Sequence, residues 1–319
     1  MATMKAVQIH AFGDVDVLKY EDVERPEAQA GEVLVRVRAA GINPIDTFSR
    51  DHALPLTTGK ASLPYILGWD ISGKVVSLGE GVTQFVPGDE VYGMLRFPQE
   101  GKAYSEYVSA PVADLALKPT RLTHQEAAAA PLVALTVWQS LFDTAHLQAG
   151  QTILIPGGAG GTGHIAIQLA KWKGAKVITT TSTRNRDFVR HLGADVVIDY
   201  TKQSFVQMVK DVDVVLDTIG GEGLRQAFQV MKRGGTIVSL PGHAGVKAIG
   251  DQLAPYYGVT FVFTPVHPSG EQLAAMAPLF DAGQLNVHID AAFPLQDVAQ
   301  AHKLSEGGHV RGKLVLTVE

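Results

Sequence analysis

The chain places a glycine-rich turn, Pro156-Gly157-Gly158-Ala159-Gly160-Gly161-Thr162-Gly163, between a strand and a helix. Gln151 to Ile155 before it is a short run with the length of a buried parallel strand. After it, Ile165, Leu169 and Trp172 recur at helical spacing until Gly174. Gly158, Gly160 and Gly163 fill the pattern G-x-G-x-x-G. In that pattern the first glycine makes the tight turn, the second lets backbone approach a pyrophosphate, and the third allows close helix–strand packing. Gly161 and Thr162 would offer the unpaired N–H groups of the first helical turn to negative charge. The alternative is a βα turn without a ligand. Against it, a second strand, Lys176 to Thr181, follows at βαβ distance. No Gly-Lys-Ser/Thr closes the motif, which excludes a P-loop.

The tip of that second strand bears on which dinucleotide binds. In NAD-binding folds an Asp or Glu about 20 residues beyond the motif bonds the ribose 2′-hydroxyl. Here, 19 residues past Gly163, the chain reads Ser182-Thr183-Arg184-Asn185-Arg186, and no carboxylate follows the strand before Asp187. Hydroxyls and guanidinium groups favour a 2′-phosphate through charge-assisted hydrogen bonds, so NADPH is the expected cofactor, with Ser182, Arg184 and Arg186 facing it. The arginines could instead be a solvated first helical turn, although cations there oppose the helix dipole.

From Gln151 onward, strands and helices alternate. Strands are expected near 152–156, 176–181, 195–199, 212–217, 235–240 and 259–263, with helices such as Arg184 to His191 and Leu224 to Met231 between them. This is the pattern of an α/β fold with a doubly wound parallel sheet. Leu240 and Phe263 then fall at its carboxyl edge, where ligands of such sheets bind. Residues 1–119 read as β-rich, with alternation from Gly31 to Arg38 and short strands at Ile71 to Leu78 and Glu90 to Met94. Thr123-His124-Gln125-Glu126 fits a capping box, and Pro131 should interrupt the helix that follows before a second one through Trp138 and Leu141. The tail after Phe263 carries two helices and two strands that cannot easily extend the parallel sheet. The expected division is therefore 1–119 with 265–319 as one domain and 120–264 as the dinucleotide-binding domain.

Composition narrows the function. A net charge of −5 gives no electrostatic reason for nucleic acid or an anionic membrane as partner. The opening residues have no apolar signal core, and a cytoplasmic location is expected. None of the 319 residues is cysteine, which removes thiolate nucleophiles and every cysteine-containing zinc site.

Several segments, in this order, resemble the zinc-free quinone oxidoreductases and alkenal (enone) reductases of the medium-chain dehydrogenase/reductase superfamily. Gly41-Ile42-Asn43-Pro44-Ile45-Asp46 looks like G-[IV]-N-P-x-D, and Gly68-Trp69-Asp70-Ile71-Ser72-Gly73 looks like G-x-D-x-[AS]-G. Gly88-Asp89-Glu90-Val91, Tyr104-Ser105-Glu106-Tyr107, Pro131 to Trp138 and Gly312 to Leu316 also fit. The resemblance covers nearly the whole chain. It implies a GroES-like catalytic domain formed by both chain ends, a Rossmann domain, and an active site in the cleft. Asn43 stands near the first metal-ligand position of the zinc-bearing relatives and Trp69 at the usual histidine, so no metal is expected. Quinone reductases often carry a tyrosine where Phe48 stands, and Asn185 replaces a lysine of the alkenal reductases.

The implied activity is hydride transfer from NADPH to a quinone or to the β-carbon of an α,β-unsaturated carbonyl. The acceptor oxygen then needs a hydrogen-bond donor, and Asn43 is the candidate, unless it serves only the turn before Pro44. Thr136 either packs beside the nicotinamide or bonds its own backbone. Tyr200 either approaches the 2′-phosphate or ends a strand with one wet side. His52 is a candidate proton donor. A zinc-independent alcohol dehydrogenase and a non-catalytic NADPH-binding sensor remain alternatives. Val259 to Phe263 should be an edge strand, and edge pairing implies a homodimer.

Overall fold

Strands with one covered face alternate, whereas strands covered on both faces read as continuous apolar runs. Both kinds occur here, in different parts of the chain. A computed structural model describes residues 2–51 and 63–319. In chain order it begins with β1 (Thr3–Ile9), β2 (Leu18–Glu24), β3 (Glu32–Ile42), α1 (Pro44–Asp51), β4 (Tyr65–Ile66), β5 (Asp70–Leu78), β6 (Glu90–Met94), β7 (Tyr107–Pro111) and β8 (Leu115–Leu117). Then come α2 (His124–Ala129), α3 (Pro131–Trp138), β9 (Thr152–Ile155), α4 (Gly161–Trp172), β10 (Lys176–Thr181), α5 (Arg186–His191) and β11 (Val196–Asp199). The chain continues through β12 (Val212–Asp217), α6 (Gly221–Val230), β13 (Met231–Ser239), α7 (Ala244–Tyr257) and β14 (Thr260–Phe263). It ends with α8 (Gly270–Asp281), β15 (Ile289–Pro294), α9 (Val298–Glu306) and β16 (Lys313–Thr317).

The chain forms two compact units. The first joins Met1–Leu135, His267–Gly283 and Val287–Glu319, and the second joins Thr136–Val266 with Gln284–Asn286. The expected boundary at 119/120 therefore moves to 135/136. The cause is α2, which packs on β3 and β5. There the Ala128 carbonyl comes so close that a Cβ on Gly41 would lie 2.3 Å from it. Gln284–Asn286 joins the second unit because Gln168 Nε2 donates to the Asn286 carbonyl at 2.9 Å and Gln168 Oε1 accepts the Asn286 N–H at 2.9 Å.

In the first unit the main sheet has the order β15-β16-β3-β5-β6-β8, and β7 also pairs with β3. The tail strands β15 and β16 enter this sheet. β3 runs four residues beyond its expected end at Arg38. Ala39, Ala40, Gly41 and Ile42 break the alternation because they are covered on both faces and pair with β16. The Thr123–Glu126 capping box forms in both directions.

In the second unit every strand pairing is parallel, in the order β11-β10-β9-β12-β13-β14. Chain order reverses between β9 and β12, the switch point where such sheets bind ligands. Ile153 to Ile155 and Val214 to Leu216 are apolar runs that the covering of both faces explains. Three expected elements change. Met231 starts β13 rather than ending a helix. The stretch after Ser182 is a 3-10 turn, Thr183–Asn185, before α5 begins at Arg186. The helix expected through Leu141 becomes a π-helical turn, Gln139–Thr144. β14 is an edge, as its sequence implied. Among the described residues, no helix is long and apolar enough to cross a membrane.

Candidate functional site

The loop from β9 to α4 lies at the switch point of the second unit. Gly157, not Gly158, carries the left-handed backbone of the turn, at φ +69°. Gly158 is needed for space instead, because a Cβ there would lie 2.0 Å from Thr179 Oγ1. Gly163 is needed for helix packing, since its Cβ would lie 2.3 Å from the Gly157 carbonyl. Gly160 differs from both. A Cβ there would meet nothing closer than the Gly157 carbonyl at 3.4 Å, so the fold itself does not require glycine at that position. Gly160 is the N-cap of α4 and no side chain caps that helix. The first-turn N–H groups of Gly161, Thr162 and Gly163 have no helical carbonyl to receive them, the electrostatic condition for an anion.

Thr179 and Thr180 hold this loop in place. Thr179 Oγ1 donates to the Ile155 carbonyl at 2.6 Å, Thr180 Oγ1 accepts from Gly157 N–H at 3.2 Å, and the Thr180 carbonyl accepts from Gly158 N–H at 3.0 Å. Opposite, at the end of β12, buried Asp217 accepts the N–H groups of Ile219 and Gly220 at 3.1 and 2.9 Å and the Ser239 hydroxyl at 2.7 Å. Thr218 Oγ1 donates to the Pro156 carbonyl at 2.8 Å, which ties that turn to the glycine loop.

Beyond β10, Ser182 is half-buried and makes no capping bond, and Arg184 is exposed. Two buried atoms here, Asn185 Oδ1 and Arg186 Nε, have no hydrogen-bond partner among the described residues. The neighbouring carboxylate, Asp199, has both oxygens occupied. Thr183 donates to Oδ2 at 2.5 Å and Thr201 to Oδ1 at 2.6 Å, and these bonds hold its carboxyl below the usual carboxylate range. Tyr200 follows it with 57% of its surface exposed. Leu240 follows β13, and Phe263 ends β14 with its ring against Gly242. The glycine loop, Ser182, Arg184, Arg186, Tyr200, Leu240 and Phe263 thus share the carboxyl edge of one sheet. Thr136 is not at a strand end but in α3.

In the first unit, Asn43 departs from its expected role. It is 1% exposed, and its amide is engaged at both ends. Asn43 Nδ2 donates to Asp70 Oδ2 at 3.0 Å, and its Oδ1 accepts from Lys313 Nζ. A buried ammonium and a buried carboxylate require such partners, so the amide bridges them instead of presenting an open donor. Lys313 also donates to the Ile42 carbonyl at 2.7 Å, and Asp70 Oδ1 accepts from Leu132 N–H at 2.9 Å. Asp46 Oδ2 accepts from Asn43 N–H at 2.7 Å and from the Tyr104 hydroxyl at 2.9 Å. Burial pushes the Asp70 carboxyl up to about 6, against the pull of Lys313 and Asn43. Phe48 on α1 is 45% exposed, and His52 lies outside the described residues.

Comparison with known proteins agrees with this architecture. Residues 29–120 match the alcohol dehydrogenase GroES-like domain, and residues 192–316 match a domain described as zinc-binding dehydrogenase. The solved structure of a quinone oxidoreductase from Coxiella burnetii superposes with a TM-score of 0.93, at 37% identity over 100% of both chains. A 2-methylene-furan-3-one reductase of Solanum lycopersicum is 36% identical over 98% of this chain and 79% of its own. An NADPH-dependent alkenal/one oxidoreductase of Arabidopsis thaliana matches at the same 36% identity, with the same coverage. This chain belongs to the medium-chain dehydrogenase/reductase family. As a medium-chain dehydrogenase/reductase it is an oxidoreductase that works with a pyridine nucleotide.

Within this member of the family, the sequence pattern conceals the buried supports. Lys313 reads as the polar start of an apolar strand, yet it is 3% exposed. Asp217 reads as a strand-end residue, and nothing local announces its three acceptor bonds. Tyr104, Asp46 and Asp70 read only as members of motifs. The available signal was charge inside apolar segments, Asp70 between Trp69 and Ile71 above all.

Proposed function

We propose that this protein transfers hydride from NADPH to a quinone or to the β-carbon of an α,β-unsaturated carbonyl, without a metal. The choice of NADPH rests on the end of β10. There Arg184 and Arg186 follow the strand, Arg186 Nε is a buried donor without a hydrogen-bond partner among the described residues, and both oxygens of Asp199 already accept from threonine hydroxyls. A 2′-phosphate supplies acceptors for arginine, whereas a ribose 2′-hydroxyl would look for the missing carboxylate. The glycine loop would take the pyrophosphate, with Gly160 leaving room for it and the first turn of α4 donating to it.

Bound NADPH supplies the hydride. This chain's contribution is to hold the cofactor and keep the acceptor carbon close to it, which alone lowers a barrier by several kcal/mol. A conjugated acceptor spreads the incoming charge onto its oxygen, and the completing proton comes from solvent. Asn43 serves this reading as a brace for the Gly41–Asp46 segment, not as the donor first expected.

The donor chemistry speaks against a catalytic zinc. The chain has no thiolate to offer, and Trp69, at the position of a family histidine, donates its indole N–H to the Gln99 carbonyl at 2.6 Å. An indole has no lone pair for a metal. Purified protein dialysed against EDTA should oxidise NADPH with a quinone or an enone at its undialysed rate. Loss of that rate, with recovery on adding zinc, would refute the metal-free part of the proposal.

A further inference from the structure

A directed chain of hydrogen bonds in the first unit ends on Asp46. Arg50 Nη1 lies 3.3 Å from His302 Nδ1. A guanidinium only donates, so Nδ1 accepts and the ring hydrogen sits on Nε2. Nε2 lies 3.3 Å from the Tyr104 hydroxyl and donates to it, and Tyr104 gives its own hydrogen to Asp46 Oδ2. Burial, assisted by Arg50, pushes His302 down to about 3, so it stays neutral. Arg50 is anchored in turn by the Gly13 carbonyl at 2.9 Å and by Glu306 at 2.6 Å. Because a guanidinium does not release its proton, this chain cannot conduct protons through Arg50. It fixes direction.

The two oxygens of Asp46 are therefore unlike. Oδ2 accepts from Tyr104 and from the Asn43 N–H, while Oδ1 is buried with no hydrogen-bond partner among the described residues. Around it, Asp46 and Asp70 place two carboxyls beside one ammonium, Lys313, and each of the three is at most 3% exposed. We propose that Asp46 Oδ1 is a proton-binding site, which holds a proton in the folded protein and gives it up on unfolding.

A proton on Oδ1 balances the charge of the three groups without disturbing either bond to Oδ2. The groups facing Asp46 are Asp70 of β5, Lys313 of β16, Tyr65 of β4, and Tyr104, with His302 of α9 and then Arg50 behind it. Burial pushes the Asp46 carboxyl up to about 7. The Asn43 N–H, Tyr104 and Lys313 oppose this and Asp70 adds to it. The folded value lies above the ordinary 3.8, so the folded state holds more protons between those two pH values. Stability accordingly falls as pH rises through that window, and the loss is complete above the folded value.

Calorimetric unfolding of the full chain at about pH 6, in buffers of different ionisation enthalpy, counts the protons released. Wild type should release about one more proton than Asp46→Asn, because Asp46 is protonated when folded and ionised when unfolded. Equal release would overturn the proposal. If Asp46→Asn does not fold, 13C-carboxyl NMR of wild type and Asp70→Asn decides. An aspartate that titrates well above the ordinary 3.8 in both supports the site, with a lower value in Asp70→Asn, and its absence from either overturns it.

Discussion

Two glycines of the same loop should fail in opposite ways when changed to alanine. At Gly158 the new methyl would sit 2.0 Å from Thr179 Oγ1 and 2.9 Å from Ile167 Cδ1, both side chains fully buried. Thr179 cannot swing aside without losing its bond to Ile155, so overpacking of about 1–3 kcal/mol is expected. That corresponds to a Tm lower by roughly 2–4 °C per kcal/mol. At Gly160 the backbone, φ −79° and ψ 179°, is ordinary for alanine, and the nearest atom is 3.4 Å away. Gly160→Ala should keep the wild-type Tm. If the pyrophosphate approaches this backbone, the methyl holds it off and loses one charge-assisted bond of about 1.5–3 kcal/mol. The Kd for NADPH should then rise roughly tenfold to a hundredfold. Thermal unfolding without nucleotide and nucleotide fluorescence titration measure the two effects separately. Gly160→Ala binding NADPH as wild type does, or Gly158→Ala melting unchanged, would show that the two glycines do not divide the work in this way.

Arg184→Ala and Arg186→Ala should each weaken NADPH roughly tenfold to a hundredfold and leave NADH nearly unchanged, as measured by paired titrations. Equal effects on both cofactors would assign the arginines another role. Edge strand β14 should pair with its counterpart in a second copy, so light scattering at micromolar concentration should give a dimer mass, and a monomer mass would remove that inference.

The second unit is legible in sequence because several of its strands carry short apolar runs, as at Ile153 to Ile155 and Val214 to Leu216, and glycine marks several of its turns. What local pattern does not give is the division of labour inside the glycine loop. Gly157 takes the left-handed turn while Gly158 packs against Thr179, and that contact belongs to the neighbouring strand. The helix–strand border at Met231 is hidden for a similar reason: a single apolar residue fits either period, and pairing with β12 decides. The first unit's motifs mark the right segments but not their chemistry. In sequence Asn43 reads either as a donor to the acceptor oxygen or as a residue that fixes the turn before Pro44. Its partners Asp70 and Lys313 lie 27 and 270 residues away, and only the fold brings them onto the amide.

Isotopic labelling reads directly where the hydride goes. NADPH deuterated at C4 should be incubated with the protein and an α,β-unsaturated ketone, and the product examined by NMR. A conjugated acceptor can place the charge on its oxygen with little help, whereas an isolated carbonyl develops alkoxide character that calls for a metal or a strong acid. Deuterium should therefore appear at Cβ of a saturated ketone with its carbonyl intact. Deuterium on the carbinol carbon of an alcohol would contradict conjugate reduction as the reaction of this protein.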